Sequence, residues 1–169
     1  SLIQKSGALY IGKEDMPYYL NSAGAVQNDL APELQTASSA TSGKNMKLWK
    51  NWLYIPAGAQ VLLRTDSTTN EFINPSSYCT DLSDFAGQIM AVAYDEEWLF
   101  IAVDNGTKVE ILAGRDERVD GSTSWRWHPI AELTLAGVEC MYVSNVYQKR
   151  LWIASTSASD PLYYIPLPT

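Results

Sequence analysis

Four segments of the chain share one pattern: Leu9-Tyr10-Ile11-Gly12, Leu53-Tyr54-Ile55-Pro56, Leu99-Phe100-Ile101-Ala102 and Leu151-Trp152-Ile153-Ala154. Each reads leucine, an aromatic residue, isoleucine, and then a small residue or proline. The segments begin at positions 9, 53, 99 and 151, which gives spacings of 44, 46 and 52 residues. Repetition over about 20 to 50 residues is the sequence signature of repeat architectures. The chain is therefore interpreted as four copies of one structural unit, with turn insertions explaining the drift in spacing.

A second apolar run follows each segment after a short polar turn, so every unit contains at least a hairpin. These runs are Tyr18-Tyr19-Leu20, Val61-Leu62-Leu63, Val109-Glu110-Ile111-Leu112 and Tyr163-Tyr164-Ile165. In the third and fourth units an Ala-Gly pair precedes the apolar stretches 88–94 and 138–144, which predicts a third strand. In the third unit the polar stretch 114–123 predicts a loop, and 125–134 predicts a fourth strand whose Pro129 suits a sheet edge.

The repeated segment is apolar on both faces of a strand. Side chains alternate along a strand, so the leucine and isoleucine point one way and the aromatic residue points the other. A propeller blade has a neighbour on each face and requires this pattern, whereas a strand with one wet face alternates with polar residues. The sequence therefore predicts an all-β protein, a β-propeller with about four blades of four antiparallel strands. The predicted blade-core residues are Leu9, Tyr10, Ile11, Leu53, Tyr54, Ile55, Leu99, Phe100, Ile101, Leu151, Trp152 and Ile153.

The predicted blades cover approximately residues 1–42, 43–86, 87–136 and 137–169 of a single domain. Another all-β repeat or a sandwich is the alternative fold. The last blade lacks a fourth strand, and Leu2–Lys5 is expected to supply it if the ring closes within the chain. Four blades form the smallest usual ring, so a part of a larger propeller is the competing interpretation. Open apolar edges promote aggregation. The expected partners are therefore other polypeptide chains at those edges, or further copies in a homo-oligomer.

The composition argues against two classes of partner. The chain has 169 residues, of which 46% are hydrophobic and 18% charged, and its net charge is −7. A negative protein is a poor ligand for phosphates, so no nucleic acid is expected. The apolar stretch at Trp98–Val103 is six residues long, against about 20 for a membrane-spanning helix, so no membrane insertion is expected. The two cysteines, Cys79 and Cys140, cannot form a disulfide framework or a zinc site.

Residues for catalysis are sparse, so the chain is predicted not to be an enzyme and to need no cofactor or metal. His128 is the only histidine, and nucleophile elbows, phosphate-binding glycine loops and zinc motifs are absent. The oxygen-bearing side chains of Asp104 and Asn105 could suggest a calcium site, but an ordinary Asn-Gly hairpin turn at Asp104-Asn105-Gly106 explains them without an ion. Paired carboxylates in a glycosidase are the remaining catalytic alternative. The candidates, most of them in predicted turns, are Asp95, Glu96, Glu97, Asp104, Asp116, Glu117 and Asp120.

A carbohydrate site is the sharper binding hypothesis. Trp125, Arg126, Trp127 and the nearby Asp120 offer aromatic faces for a sugar ring and polar groups for its hydroxyls. Trp125 and Trp127 lie two apart on one predicted strand, so both face the same side. The alternative is that they cover the neighbouring blade. Repeated lectin pockets would require repeated loops, but the equivalent turns 12–16 and 57–59 have nothing in common. This favours a scaffold or protein-interaction module.

One part of the chain resembles a known group of proteins. The stretches 120–129, 150–156 and 162–168 are similar to propeller segments of structural proteins from tailed bacteriophages. The likeness covers about 50 residues and carries no motif of defined chemistry. It implies a virion component, located on a tail or particle surface, that acts as a scaffold or a host-contact module. It transfers no functional residues.

Overall fold

The structure of the protein is a computed structural model that describes residues 1–13, 17–28, 43–57, 61–73, 87–119 and 122–168. These ranges contain strands and turns but no helix. The strands are β1 Leu2–Lys5, β2 Ala8–Gly12, β3 Pro17–Leu20, β4 Val26–Gln27, β5 Lys47–Trp49, β6 Trp52–Pro56, β7 Leu62–Thr65, β8 Asn70–Ile73, β9 Gln88–Tyr94, β10 Leu99–Asp104, β11 Val109–Val119, β12 Ser122–Leu133, β13 Val138–Ser144, β14 Arg150–Ser155 and β15 Leu162–Pro166.

The strands form four antiparallel sheets, each built from strands that are consecutive in sequence. Three sheets have four strands, β1–β4, β5–β8 and β9–β12, and the described part of the last sheet has three, β13–β15. The first strands of successive sheets lie against each other, β1 against β5, β5 against β9, and β9 against β13. The sheets are thus four successive blades of a β-propeller, which confirms the predicted fold class.

Each repeated segment occupies the second strand of its blade, and its side chains follow one rule. We call the side of a blade that points toward the next blade in the sequence its forward face, and the opposite side its back face. The aromatic residue lies on the forward face, and the leucine and isoleucine lie on the back face. The segment residues that share a core cluster are Tyr10 with Leu53 and Ile55, Tyr54 with Leu99 and Ile101, and Phe100 with Leu151 and Ile153.

Coverage of the segments differs between the middle and the terminal blades. In blades two and three all three apolar residues of the segment are at most 3% exposed. In blade four Leu151 and Ile153 are buried but Trp152 is only half-buried, and in blade one Tyr10 is buried while Leu9 and Ile11 are half-buried. The expected coverage on both sides is therefore seen only in the middle blades. The physical reason is that among the described residues each terminal blade has a neighbour on one face only.

Two local predictions were wrong. Leu2–Lys5 does not complete the fourth blade, because it pairs with β2 as the inner strand of the first blade, from Leu2 opposite Ile11 to Lys5 opposite Ala8. The predicted loop at 114–123 is largely strand, because β11 continues to Val119 and β12 begins at Ser122. Its polar side chains pair with one another beyond the core, as Glu117 does with Arg115 and Arg126, so polar composition does not end the strand.

Gly114 supplies the space for an indole ring in the third blade. It pairs with Leu99 on one side and with Trp127 on the other. A Cβ at this position would lie under 3.0 Å from three ring carbons of Trp127. We expect Gly114→Ala to lower the free energy of unfolding by about 1–3 kcal/mol, the usual cost of overpacking. Urea titration measures the loss. The control is the same Gly114→Ala change in a Trp127→Leu background, since the smaller leucine side chain leaves room for the Cβ. Equal losses of unfolding free energy in the two backgrounds would contradict this account.

Candidate interaction surfaces

The tryptophans of the predicted carbohydrate site lie in the core. Trp125 and Trp127 are 4% and 2% exposed, and their rings stack with centroids 5.3 Å apart. They lie on the back face of blade three, where Trp125 meets Trp49 and Tyr54 of blade two. A sugar ring therefore has no access to either indole face while the blades are packed. The structure places both tryptophans in the packing role that the sequence left as the alternative.

The polar members of that predicted site do not join the tryptophans. The side chain of Arg126 points to the opposite face of the strand, is 56% exposed, and pairs with Glu117 at 3.1 Å. Asp120 lies outside the described residues. The residues grouped by sequence proximity are therefore divided between a closed interface and an exposed sheet edge.

A buried arginine joins blades two and three. The side chain of Arg64 is 6% exposed and lies over the rings of Trp52 and Trp125, at 4.5 and 5.4 Å. It pairs with Glu71 at 2.6 Å and with Asp116 at 2.9 Å. Burial raises the pKa of the neighbouring Tyr54 to about 12, even though its hydrogen bond with Arg64 acts in the opposite direction. Asp116, a candidate acid in the sequence, is thus part of a contact between blades.

Asp95, in the turn between β9 and β10, connects blades two, three and four. It accepts hydrogen bonds at Oδ1 from the backbone N–H groups of Glu97 and Trp98, and its Oδ2 lies 2.8 Å from Lys149 Nζ of blade four. Its backbone carbonyl accepts a bond from Trp49 Nε1 of blade two at 2.6 Å. Burial alone would raise the pKa of Asp95, but the bonds from Lys149 and the two N–H groups outweigh it and lower the pKa below its ordinary value.

The lowered pKa of Asp95 predicts how the fold responds to acid. Since the folded state favours the ionised carboxylate, its stabilising effect is complete above the unfolded pKa of about 4 and is lost as pH falls through the lower folded pKa. We expect Asp95→Asn to reduce the free energy of unfolding at neutral pH by about 1–3 kcal/mol and to flatten its decline in acid. Urea titrations between pH 2 and 7 measure this. The exposed neighbour Glu96→Gln is the control, and an equal flattening there would contradict the assignment.

Of the other predicted catalytic candidates, Asp95, Glu96, Glu97 and His128 line one cleft between blades three and four, whereas Asp104 lies in a separate turn. His128 is exposed and its ring packs edge-on against Trp98 at 5.9 Å. Asp104-Asn105-Gly106 forms a turn closed by its own hydrogen bonds, from Gly106 N to Asp104 and from Thr107 N to Asn105. Among the residues that the structure describes, no group of three histidine, cysteine, aspartate or glutamate side chains could hold a metal ion. The same residues contain no helix that could serve as a membrane span.

Two clefts open beside the packed blades. One, of about 560 Å³, includes Lys47, Lys50 and Tyr94 in its lining. The other, of about 530 Å³, lies between blades three and four and includes Trp98. Arg115 lies over the Trp98 ring at 4.7 Å, and His128 packs against it as well. The aromatic group of the second cleft is therefore already contacted by the chain's own side chains.

The forward face of blade four is an uncovered aromatic surface. Register places Tyr142, Trp152 and Tyr164 side by side across β13, β14 and β15. Tyr142 is 67% and Tyr164 is 51% exposed, and Trp152 lies 5.3 Å from Tyr164. The Arg150 guanidinium lies 4.5 Å from the Tyr164 ring centre. Leu162, itself mostly exposed, extends the same face, which is therefore apolar, aromatic and open to a partner.

The back face of blade one is an uncovered and mainly aliphatic surface, with Tyr18 beside Ile11 as its aromatic member. Leu9 and Ile11 lie on it with Leu20, and all three are half-buried by their own sheet. Leu2 and Val26 lie on the same face and are 65% and 63% exposed. Among the described residues, the three core clusters join blades one and two, two and three, and three and four, and none joins blade four to blade one. Within the part of the chain that the structure describes, both end faces of the stack therefore lack the cover that the inner faces have.

Sequence reasoning placed Trp152 among the blade-core residues and did not identify it as part of an open face. The available signal was that Trp152 belongs to the last repeated segment and is matched by tyrosines in both neighbouring strands, Tyr142 and Tyr164. No blade follows it in the described part of the chain. An aromatic residue in the last repeat is therefore the one that lacks a neighbour.

No protein-family model matches the chain, and no curated protein matches its sequence at a significant level.

Proposed function

We propose that this chain is a non-enzymatic scaffold or protein-interaction module that contacts other polypeptides through the end faces of its blade stack. The observation that carries the proposal is the pair of uncovered apolar faces, one aromatic on blade four and one aliphatic on blade one. Contiguous exposed apolar surface on a folded protein marks an interaction site. Tyrosine, tryptophan and arginine are the residues that most often dominate binding energy at protein interfaces, and the forward face of blade four contains all three.

Two further points support this function. Two of the candidate acids take part in structural contacts, since Asp95 pairs with Lys149 and Asp116 pairs with Arg64. The resemblance of the C-terminal third to propeller segments of tailed-phage structural proteins supports a virion scaffold as the setting.

A random-peptide display selection tests the proposal with a defined probe. Peptides selected on the folded chain are expected to bind an end face. Their binding should fall at least tenfold with the forward-face variant Tyr142→Lys/Tyr164→Lys or the back-face variant Leu2→Lys/Val26→Lys, since these charges oppose burial of apolar surface. Phe72→Lys is the matched control, because Phe72 is an exposed aromatic on an outer strand of blade two. Peptides that bind all these variants equally would contradict the proposal.

A further inference from the structure

The three interfaces inside the chain are built in the same way. At each one the forward aromatic residue of a blade enters the same core cluster as the back-face leucine and isoleucine of the next blade. The contact of Tyr54 with the cluster that holds Leu99 and Ile101 is the most deeply buried example, with all three residues at most 1% exposed. The repeat therefore specifies the pairing of faces at each interface: the aromatic residue of a forward face packs against the leucine and isoleucine of the next back face.

The two uncovered faces are the two halves of one more such interface. Blade four presents the aromatic half through Trp152, and blade one presents the aliphatic half through Leu9 and Ile11. We infer that a second copy of this chain seats the back face of its first blade on the forward face of blade four, and that the reciprocal contact closes a ring of eight blades about a two-fold axis. This inference rests on the proposed function, because it names the partner of the same end faces.

A second copy accounts for both faces at once. Each copy carries one aromatic and one aliphatic face, so two identical contacts related by a two-fold axis leave neither face open to water. A head-to-tail contact that closes in this way gives a finite assembly and not a fibre. The exposed residues of the pair would become core-like, Tyr142 and Tyr164 on one side and Leu2 and Val26 on the other. Within a single chain these side chains are more than half exposed.

Light scattering and sedimentation of the full 169-residue chain, with and without variants, test the inference. The expected mass of the wild type is twice 18.8 kDa. The forward-face variant Tyr142→Lys/Tyr164→Lys and the back-face variant Leu2→Lys/Val26→Lys should each be monomeric, with the dissociation constant raised about a hundredfold or more. All four positions are more than half exposed, so folding, followed by circular dichroism, should be unchanged. Phe72→Lys should remain dimeric.

Mixing the two monomeric variants is the decisive step. In a homodimer of either variant, each of the two contacts contains one substituted face. In a heterodimer of the two variants, one contact is formed by two unsubstituted faces. The equimolar mixture should therefore form a heterodimer, and this result together with a wild-type dimer supports the inference. A back-face variant that stays dimeric would show that forward faces pair with each other and would overturn it.

A monomeric wild type also overturns the inference, and Cys140 then shows what happens to the proposed function. Cys140 is exposed and pairs with Ala154 on the forward face of blade four. Its alkylation by iodoacetamide is read by peptide mass spectrometry, which separates it from Cys79. Rapid alkylation in a monomer leaves the face open to a different protein, so the proposed function stands. Protection in a folded monomer means that the chain covers its own end faces, and both proposals fail.

Discussion

Replacing Ala102 by aspartate is expected to prevent stable folding, whereas the same replacement at Ala154 is expected to be tolerated. Both alanines are the fourth residue of a repeated segment and lie on its forward face. Ala102 is 0% exposed in the core between blades three and four, while Ala154 lies on the uncovered face of blade four. A carboxylate at position 102 loses its water and gains no partner, at a cost of about 4 kcal/mol or more. We expect a loss below about 1.5 kcal/mol at position 154.

Thermal and urea unfolding of the two variants, at concentrations too low for association, measures the difference. The two sites share the substitution, the preceding isoleucine and the position in the repeated segment, and they differ in the coverage of the face. Similar losses at Ala102 and Ala154 would show that the forward faces of blades three and four are equally covered or equally open.

Trp127→Ala is expected to lower the free energy of unfolding by about 3–5 kcal/mol, the range for removing a buried aromatic side chain. Trp127 fills the space above Gly114 and supports the Trp125 ring that meets blade two. Removing it leaves a cavity at an interface between blades, which the rigid sheets cannot close.

The neighbouring residue Arg126 provides the control for Trp127. It points to the opposite face of β12 and forms an exposed ion pair, so Arg126→Ala should cost less than about 1 kcal/mol. Circular dichroism melts compare the two variants. A Trp127→Ala protein that melts like the wild type but has lost binding to a glycan array would contradict the packing role and restore the carbohydrate hypothesis.

The sequence predicted the blades because their determinant is local. The alternation of Leu, aromatic and Ile within four residues already requires cover on two faces, and its repetition at blade spacing requires a stack. Nothing in the segment Leu151-Trp152-Ile153 distinguishes it from Leu99-Phe100-Ile101, however, and their different exposure depends on whether a further blade is present. Whether a face is covered depends on the blade packed against it, so the uncovered end faces could be identified only from the structure.

The carbohydrate hypothesis had a different weakness. The spacing of Trp125 and Trp127 correctly places them on one side of a strand, but the sequence does not say which side meets the next blade. That depends on the pairing of β12 with β11, which sets Trp127 opposite Gly114. A shift of one residue would expose both indoles. The register of an outer strand is set by contacts that are distant in sequence, so side-chain direction there was not predictable.

Hydroxyl-radical footprinting tests most directly the claim that the blades stack in sequence order with one open face at each end. The back-face variant Leu2→Lys/Val26→Lys is the protein to use, since a second copy cannot then cover blade four. We expect strong protection of Phe100 and Trp127, which are at most 3% exposed, and much faster oxidation of Leu162 and Tyr164, which are more than half exposed. Comparable oxidation of Phe100 and Tyr164 would contradict the stack.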